Sequence, residues 1–176
     1  MTVRSFENTH PKLGDRVYID PTALVVGDVT IGDDSSIWPM AAIRGDVHSI
    51  SIGERTSIQD GCVLHVTHAG PYDPEGHDLT IGDDVTIGHK AIIHGCSIAN
   101  QCLIGMGAVV MDNAVIQSQV ILGANSLVPP GRNLESGFLW VGSPARKIRP
   151  LTEEELKFFK YSADNYVKLK NRYLAG

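Results

Sequence analysis

"IGDDVTIGHKAIIHG", residues 81–95, places isoleucine at 81, 87 and 93, with glycine after two of the three. A step of six matches neither the 3.6-residue turn of a helix nor the two-residue alternation of an isolated strand. The same step extends in both directions. Upstream it runs through Ile31, Ile37 and Ile43, then Ile52, Ile58 and Leu64; downstream, after one five-residue step, it runs through Ile98, Ile104, Val110, Ile116, Leu122 and Val128. This is the hexapeptide signature of a parallel β-helix, in which each short strand stacks on the next coil. The expected fold is all-β: a left-handed, triangular β-helix with three hexapeptides per coil. The aliphatic residue fills the prism, and the glycine after it (Gly32, Gly53, Gly82, Gly88, Gly105 and Gly123) is expected to permit the corner.

Two interruptions break the period. Ile43 to Ile52 exceeds a step by three residues, and Leu64 to Ile81 admits an excursion of about eleven. The second, "GPYDPEGHDLT" at 70–80, carries prolines, glycines and charges, so it reads as a surface loop. The first domain is therefore a β-helix over 1–150 with an N-terminal arm and this loop. "VPPGRNLESGFLWVGSPARKIRP", at 128–150, reads as a descent off the prism. A helix over 151–176 follows, started by a capping box of Thr152 and Glu155, and is expected to pack on the prism or on a neighbouring subunit. Its apolar positions are Leu156, Phe159, Ala163, Tyr166 or Val167, and Tyr173 or Leu174; Lys157, Lys160, Lys168, Lys170 and Arg172 form the expected solvated face.

Composition excludes several classes of function. The 176 residues, 43% of them hydrophobic, suit one domain with a substantial core. A net charge of −5 argues against nucleic acid or an anionic membrane as partner. No apolar h-region opens the chain and no apolar run nears transmembrane length, so a cytoplasmic location is expected. Cys62, Cys96 and Cys102 form no CxxC and are expected to be free, buried thiols.

The repeat also converts sequence numbers into neighbours. A coil takes 18 residues, and once the two insertions are discounted, 43, 64 and 93 return to one face. Arg44, His65 and His94, each the next residue, should therefore stack in one column, with coils about 4.8 Å apart. Imidazoles at that spacing can lean onto one zinc. By the same count Gln59 lies under Gly88 and Asp60 under His89, on the preceding face. His89 thus looks away from the pair by one corner, and in a threefold ring the His89 of a neighbour can supply the third ligand. The five-residue spacing of His89 and His94 serves two different interfaces.

"RGD" (44–46), "IQDG" (58–61), "LH" (64–65) and "GHKAIIHG" (88–95), on a hexapeptide prism with a C-terminal helix, resemble the gamma-class carbonic anhydrase family and within it the small YrdA-like bacterial branch. That resemblance implies a homotrimer with a metal site at each subunit interface. Zinc, with iron or cobalt as alternatives, would be held by His65 and His94 of one chain and His89 of the next. It further implies an intersubunit salt bridge between Arg44 and Asp60, a structural or hydrogen-bonding Asp46, and Gln59 near the reacting water, with Tyr166 of "SADNYV" near the metal. The expected reaction is reversible hydration of carbon dioxide to bicarbonate. Zinc on three neutral imidazoles keeps a fourth position for water and lowers its pKa to about 7.

The chain departs from the most active members of that family. Val47 replaces a glutamate after the "RGD", Ser57 replaces a site asparagine, and the loop is short, so slow turnover is expected. His68, near that loop, is the candidate proton relay. A lone histidine is more often structural than a ligand, and His10, His48 and His77 are read so; Trp38 and Trp140 are read as packing residues. Two other classes compete with the lyase reading. One is a hexapeptide acyltransferase or thioester hydrolase, since "VGSPARKIR" also resembles transferase endings; the other is a metal-stabilised trimeric scaffold without catalysis.

Overall fold

A computed structural model of the protein describes residues 2–176. Its strands stack in three parallel columns that form a left-handed β-helix of about eight turns, followed by one C-terminal helix. One column carries Ile19, Ile37, Ile58, Ile87, Ile104, Leu122 and Trp140; a second, Val25, Ile43, Leu64, Ile93, Val110 and Val128; the third, Leu13, Ile31, Ile52, Ile81, Ile98, Ile116 and Leu134. Ile43, Leu64, Ile93 and Val110 are completely buried. Burial stabilises by about 1.5–3 kcal/mol for each such side chain.

The repeat is longer than the run first read from the sequence. Leu13, Ile19 and Val25 precede Ile31 at the same six-residue step, and Leu134 and Trp140 follow Val128. The segment 128–150, expected to descend from the prism, instead adds two more rungs, at Asn133–Leu134 and Phe138–Val141. The chain then turns back as the antiparallel strand Arg146–Pro150. Trp140 signals the continuation, because it occupies the repeat position with an aromatic instead of an aliphatic residue.

The glycines work differently from the expectation. The glycine after each aliphatic residue does not hold the left-handed turn. It is required by close approach: a Cβ on Gly32 would come 2.7 Å from the backbone of Gly53, and one on Gly105 would come 2.4 Å from that of Ala124. The left-handed conformation falls two residues later and is mostly held by other residues, among them Arg16, Asp34, Arg55 and Asp84, with φ of 54–58°. That conformation costs a non-glycine residue about 1–2 kcal/mol. At these corners ion pairs along the edge of the prism, Arg16 with Asp34 and Arg55 with Asp84, offset part of that cost.

Both interruptions sit where the period breaks. Strands Leu24–Ile31 and Ala42–Ile52 pair in register up to Gly27 and Gly45 and resume at Val29 and Ile50, so the three extra residues bulge between Gly45 and Ile50. The excursion leaves after His65 and folds into a small antiparallel turn closed by Thr67 and His77. It ends at Asp78; Leu79 and Thr80, placed in the loop by the sequence reading, begin the next strand.

The helix Glu153–Leu174 starts at the expected capping box, with Thr152 accepting from the Glu155 amide and Glu155 from that of Thr152. Phe159 and Ala163 are buried as expected, whereas Leu156, Tyr173 and Leu174 remain substantially exposed. Lys170 corrects the reading of a wholly solvated basic face. It is completely buried, and its Nζ donates to the Arg16 carbonyl at 2.6 Å and to Asp34 at 2.7 Å. The corner ion pairs supply the partners that make burial of this ammonium tolerable. All three cysteines are free and buried, and burial pushes the Cys62 and Cys102 thiols up to about 11 and that of Cys96 to about 12.

Candidate metal centre

The stacking deduced from residue counts places His65 and His94 directly opposite each other on adjacent coils. Their rings tilt together, with His65 Nδ1 and His94 Nε2 3.1 Å apart. Each ring commits its other nitrogen to a carboxylate: His65 Nε2 lies 3.0 Å from Asp46 Oδ1, and His94 Nδ1 lies 2.5 Å from Asp112 Oδ1. A carboxylate accepts only, so each committed nitrogen carries the hydrogen. The two facing nitrogens of the neutral rings are then both lone-pair acceptors with no hydrogen between them. A second proton on one ring, or a cation between the two, satisfies that arrangement. Two nitrogens bound to tetrahedral zinc at 2.0–2.1 Å stand about 3.3 Å apart. The donor set therefore fits zinc with little movement.

The three-residue bulge brings Asp46 to His65. Arg44, one coil below His65 in its column, pairs with the other oxygen of Asp46. Burial pushes the Asp46 carboxyl up, but the hydrogen bonds from Arg44 and His65 outweigh it and hold the group below the usual carboxylate range. Asp46 is thus an anion throughout the neutral range, suited to keeping the hydrogen on His65 Nε2.

A second cluster forms around the corner. Ser57 and Ile58 pair with Thr86 and Ile87, and this register carries on to set Gln59 against Gly88 and Asp60 against His89. His89 Nδ1 lies 2.9 Å from Asp60 Oδ2, which leaves Nε2 free on a ring that is about half exposed. Buried Gln59 accepts from the His89 amide at 3.2 Å and donates to the Tyr166 hydroxyl at 2.6 Å. The phenol oxygen is engaged as an acceptor, so its own hydrogen remains to be donated. Burial, and then the negative charge of Asp60, raises the Tyr166 pKa and keeps the phenol neutral.

The sequence-predicted residues therefore fall into two groups, Arg44, Asp46, His65 and His94 on one face and Gln59, Asp60, His89 and Tyr166 on another. Among the described residues of one chain, no three His, Cys, Asp or Glu side chains converge as a metal site. His68 stands apart from both groups, exposed where the excursion begins. Within the chain Arg44 pairs with Asp46, and Asp60 with His89. Asp112 escaped the sequence reading: the five-residue step shortens this coil to 17 residues, so Met111 stacks over His94 and Asp112 lies over Gly95.

The faces around the two clusters are apolar. Val63 and Ile92, beside His65 and His94, are each 43% exposed, and a cavity of about 330 Å³ next to His94 is lined by Ile92, Val109 and Met111. Beside His89, Met106, Phe158 and Tyr161 border a second cavity, of about 340 Å³, between the helix and the prism.

Residues 10–45 match the bacterial transferase hexapeptide (six repeats) family. The chain is 52% identical to Protein YrdA of Escherichia coli K12, over 98% of this chain and 94% of that protein. It is 46% identical to a probable carbonic anhydrase of Methanocaldococcus jannaschii, over 89% of this chain and 94% of that one. It is also 41% identical to mitochondrial gamma carbonic anhydrase 1 of Arabidopsis thaliana, over 94% of this chain but 60% of that longer protein. A crystal structure of a hexapeptide transferase family protein from Anaplasma phagocytophilum superposes with a TM-score of 0.90 at 40% identity, covering 98% of each chain.

Proposed function

The chain belongs to the hexapeptide-repeat family that contains YrdA and the gamma-class carbonic anhydrases, and from that membership we propose that it hydrates carbon dioxide reversibly at zinc sites shared between the subunits of a trimer. One observation carries the reading: two imidazoles, each with its outer nitrogen against a carboxylate, face each other nitrogen to nitrogen at 3.1 Å. His65 Nδ1 and His94 Nε2 would hold zinc from one subunit, and His89 Nε2 from the next. Bound there, zinc supplies a Lewis acid that lowers the pKa of a coordinated water to about 7.

The chain's own groups supply the rest. Asp46 and Asp112 keep hydrogens on the outer nitrogens of His65 and His94, so the inner ones remain ligands. The half-site with His89 also brings Gln59 and Tyr166, and the free phenol hydrogen can orient an anionic oxygen of bicarbonate. The largely apolar cavity beside His94, walled by Ile92, Val109 and Met111, suits the approach of a small apolar molecule such as carbon dioxide. Exposed His68 would pass the released proton to buffer. The apolar faces beside His65/His94 and beside His89 support subunit contacts that bring the half-sites together, and Asp60 would there exchange His89 for Arg44 of the neighbour.

The test is metal analysis coupled to stopped-flow hydration. One zinc per chain, with a hydration rate that a chelator abolishes and zinc restores, is the expected outcome. Zinc-loaded protein with no rate above buffer would reject the activity. The transferase description of the Anaplasma relative supports acyl transfer as a second reading, and tight acetyl coenzyme A binding by calorimetry would favour it.

A further inference from the structure

His94 is anchored by a carboxylate that comes from one coil up. Asp112 Oδ1 reaches its Nδ1 at 2.5 Å, while Asp112 Oδ2 accepts from the Thr67 hydroxyl at 2.9 Å. The carboxylate is therefore held at both oxygens. Its path to His94 crosses Gly95, where a Cβ would stand 2.5 Å from Asp112 Oδ1. Gly95 also has a φ of +48°, which disfavours any side chain there. Thr67 is fixed in turn, since its backbone closes the excursion through paired bonds with His77 at 2.9 and 3.0 Å. Loop, carboxylate and imidazole form one chain of contacts: the His77/Thr67 turn, Asp112, His94.

We propose that Asp112 is a positioning residue that fixes His94 as its Nδ1–H tautomer and aims its Nε2 lone pair at His65, with Thr67 and the bare Gly95 holding the carboxylate in place. Free imidazole side chains favour the other tautomer, with hydrogen on Nε2. That form would turn a hydrogen toward the partner ring and remove a metal ligand. An anion that can only accept, set against Nδ1, reverses the preference. Carboxylates in this role at metal-bound histidines contribute about 10–100-fold to metal affinity. The effect on affinity rests on the proposed zinc site, whereas the tautomer does not.

The experiment compares metal-free, 15N-labelled wild-type, Asp112→Ala and Thr67→Val proteins at alkaline pH, where imidazoles are neutral. Long-range proton–nitrogen correlations report the tautomer of His94, assigned by its disappearance in His94→Gln. Zinc affinity is measured in parallel by competition with a chromogenic chelator. The expected wild-type signal is Nδ1–H, moving to predominantly Nε2–H in Asp112→Ala and to a mixture in Thr67→Val. Zinc affinity should fall about 10–100-fold in Asp112→Ala and less in Thr67→Val. Thr67 lies on the surface excursion, outside the stacked core, so its variant keeps the test available should Asp112→Ala fold poorly. An Nε2–H tautomer in the wild type, or a His94 tautomer indifferent to both substitutions, would overturn the proposal. An Nδ1–H tautomer that responds to Asp112→Ala in a protein with no affinity for zinc would uphold the positioning role and reject the zinc site instead.

Discussion

His68 stands three residues beyond His65, exposed, where the chain leaves the prism. In the proposed reaction a proton released between subunits would have to reach bulk water, and this imidazole is the candidate relay that the sequence offers. Its loop holds few alternatives, because His77 is engaged with Asp73 at 2.8 Å. Hydration should therefore depend on added imidazole-type buffer, and His68→Ala should lose about tenfold in rate at low buffer and little at high buffer, where the solute replaces the side chain. Equal rates of the two proteins across a buffer titration would remove His68 from the mechanism. The columns of Arg44, His65 and His94 were legible at this scale, because stacking follows from counting residues once the insertions are located. Asp112 was not. It lies one place off the His94 column, above Gly95, and reaches its partner by crossing a glycine; a count that follows only outward-facing positions misses it.

At the scale of the element, the helix is fastened to the prism by charge as well as by packing. Lys170 meets Asp34 and the Arg16 carbonyl, and one helix turn and a half earlier Asp164 meets Arg55 at 2.6 Å. Trp38 packs its ring against Tyr166, between these contacts, and against Tyr173, beyond them. The hydrogen bond from Arg16, aided by Lys170, outweighs burial and holds the Asp34 carboxyl down at about 2. A carboxylate depressed on folding contributes stability above its unfolded pKa of about 3.9, and that stability is lost as pH falls from there through about 2. Acid should therefore release the helix in that window, seen as amide exchange along Glu153–Leu174 rising before exchange in the prism. Lys170→Ala should cost about 3 kcal/mol by urea denaturation, at the low end for a broken buried pair because Arg16 still serves Asp34. A cost under about 0.5 kcal/mol would show the ammonium to be a passenger. The capping box and the length of this helix could be read from the sequence. The burial of Lys170 could not, because its partners are corner residues 136 and 154 positions away.

For the whole molecule, the question is why two histidines of one turn face different ways. In a ring of three prisms each junction joins unlike faces, so a residue on either face serves a different neighbour. If every site takes His65 and His94 from one chain and His89 from the next, His89→Ala and His94→Ala trimers each lack every intact site. Mixed rings differ. Any ring holding both chains has one junction at which an intact pair meets an intact His89, while another junction loses ligands from both sides. Random assembly makes about three-quarters of the rings mixed, so roughly a quarter of all sites become whole. Co-refolded variants should regain tight zinc binding and part of the hydration rate that neither has alone. Were His89 and His94 drawn from the same chain, no junction could repair the site. Mixed trimers verified by mass that recover no tight zinc would therefore reject the shared site, and with it the reason for a five-residue spacing that the prism turns through a corner.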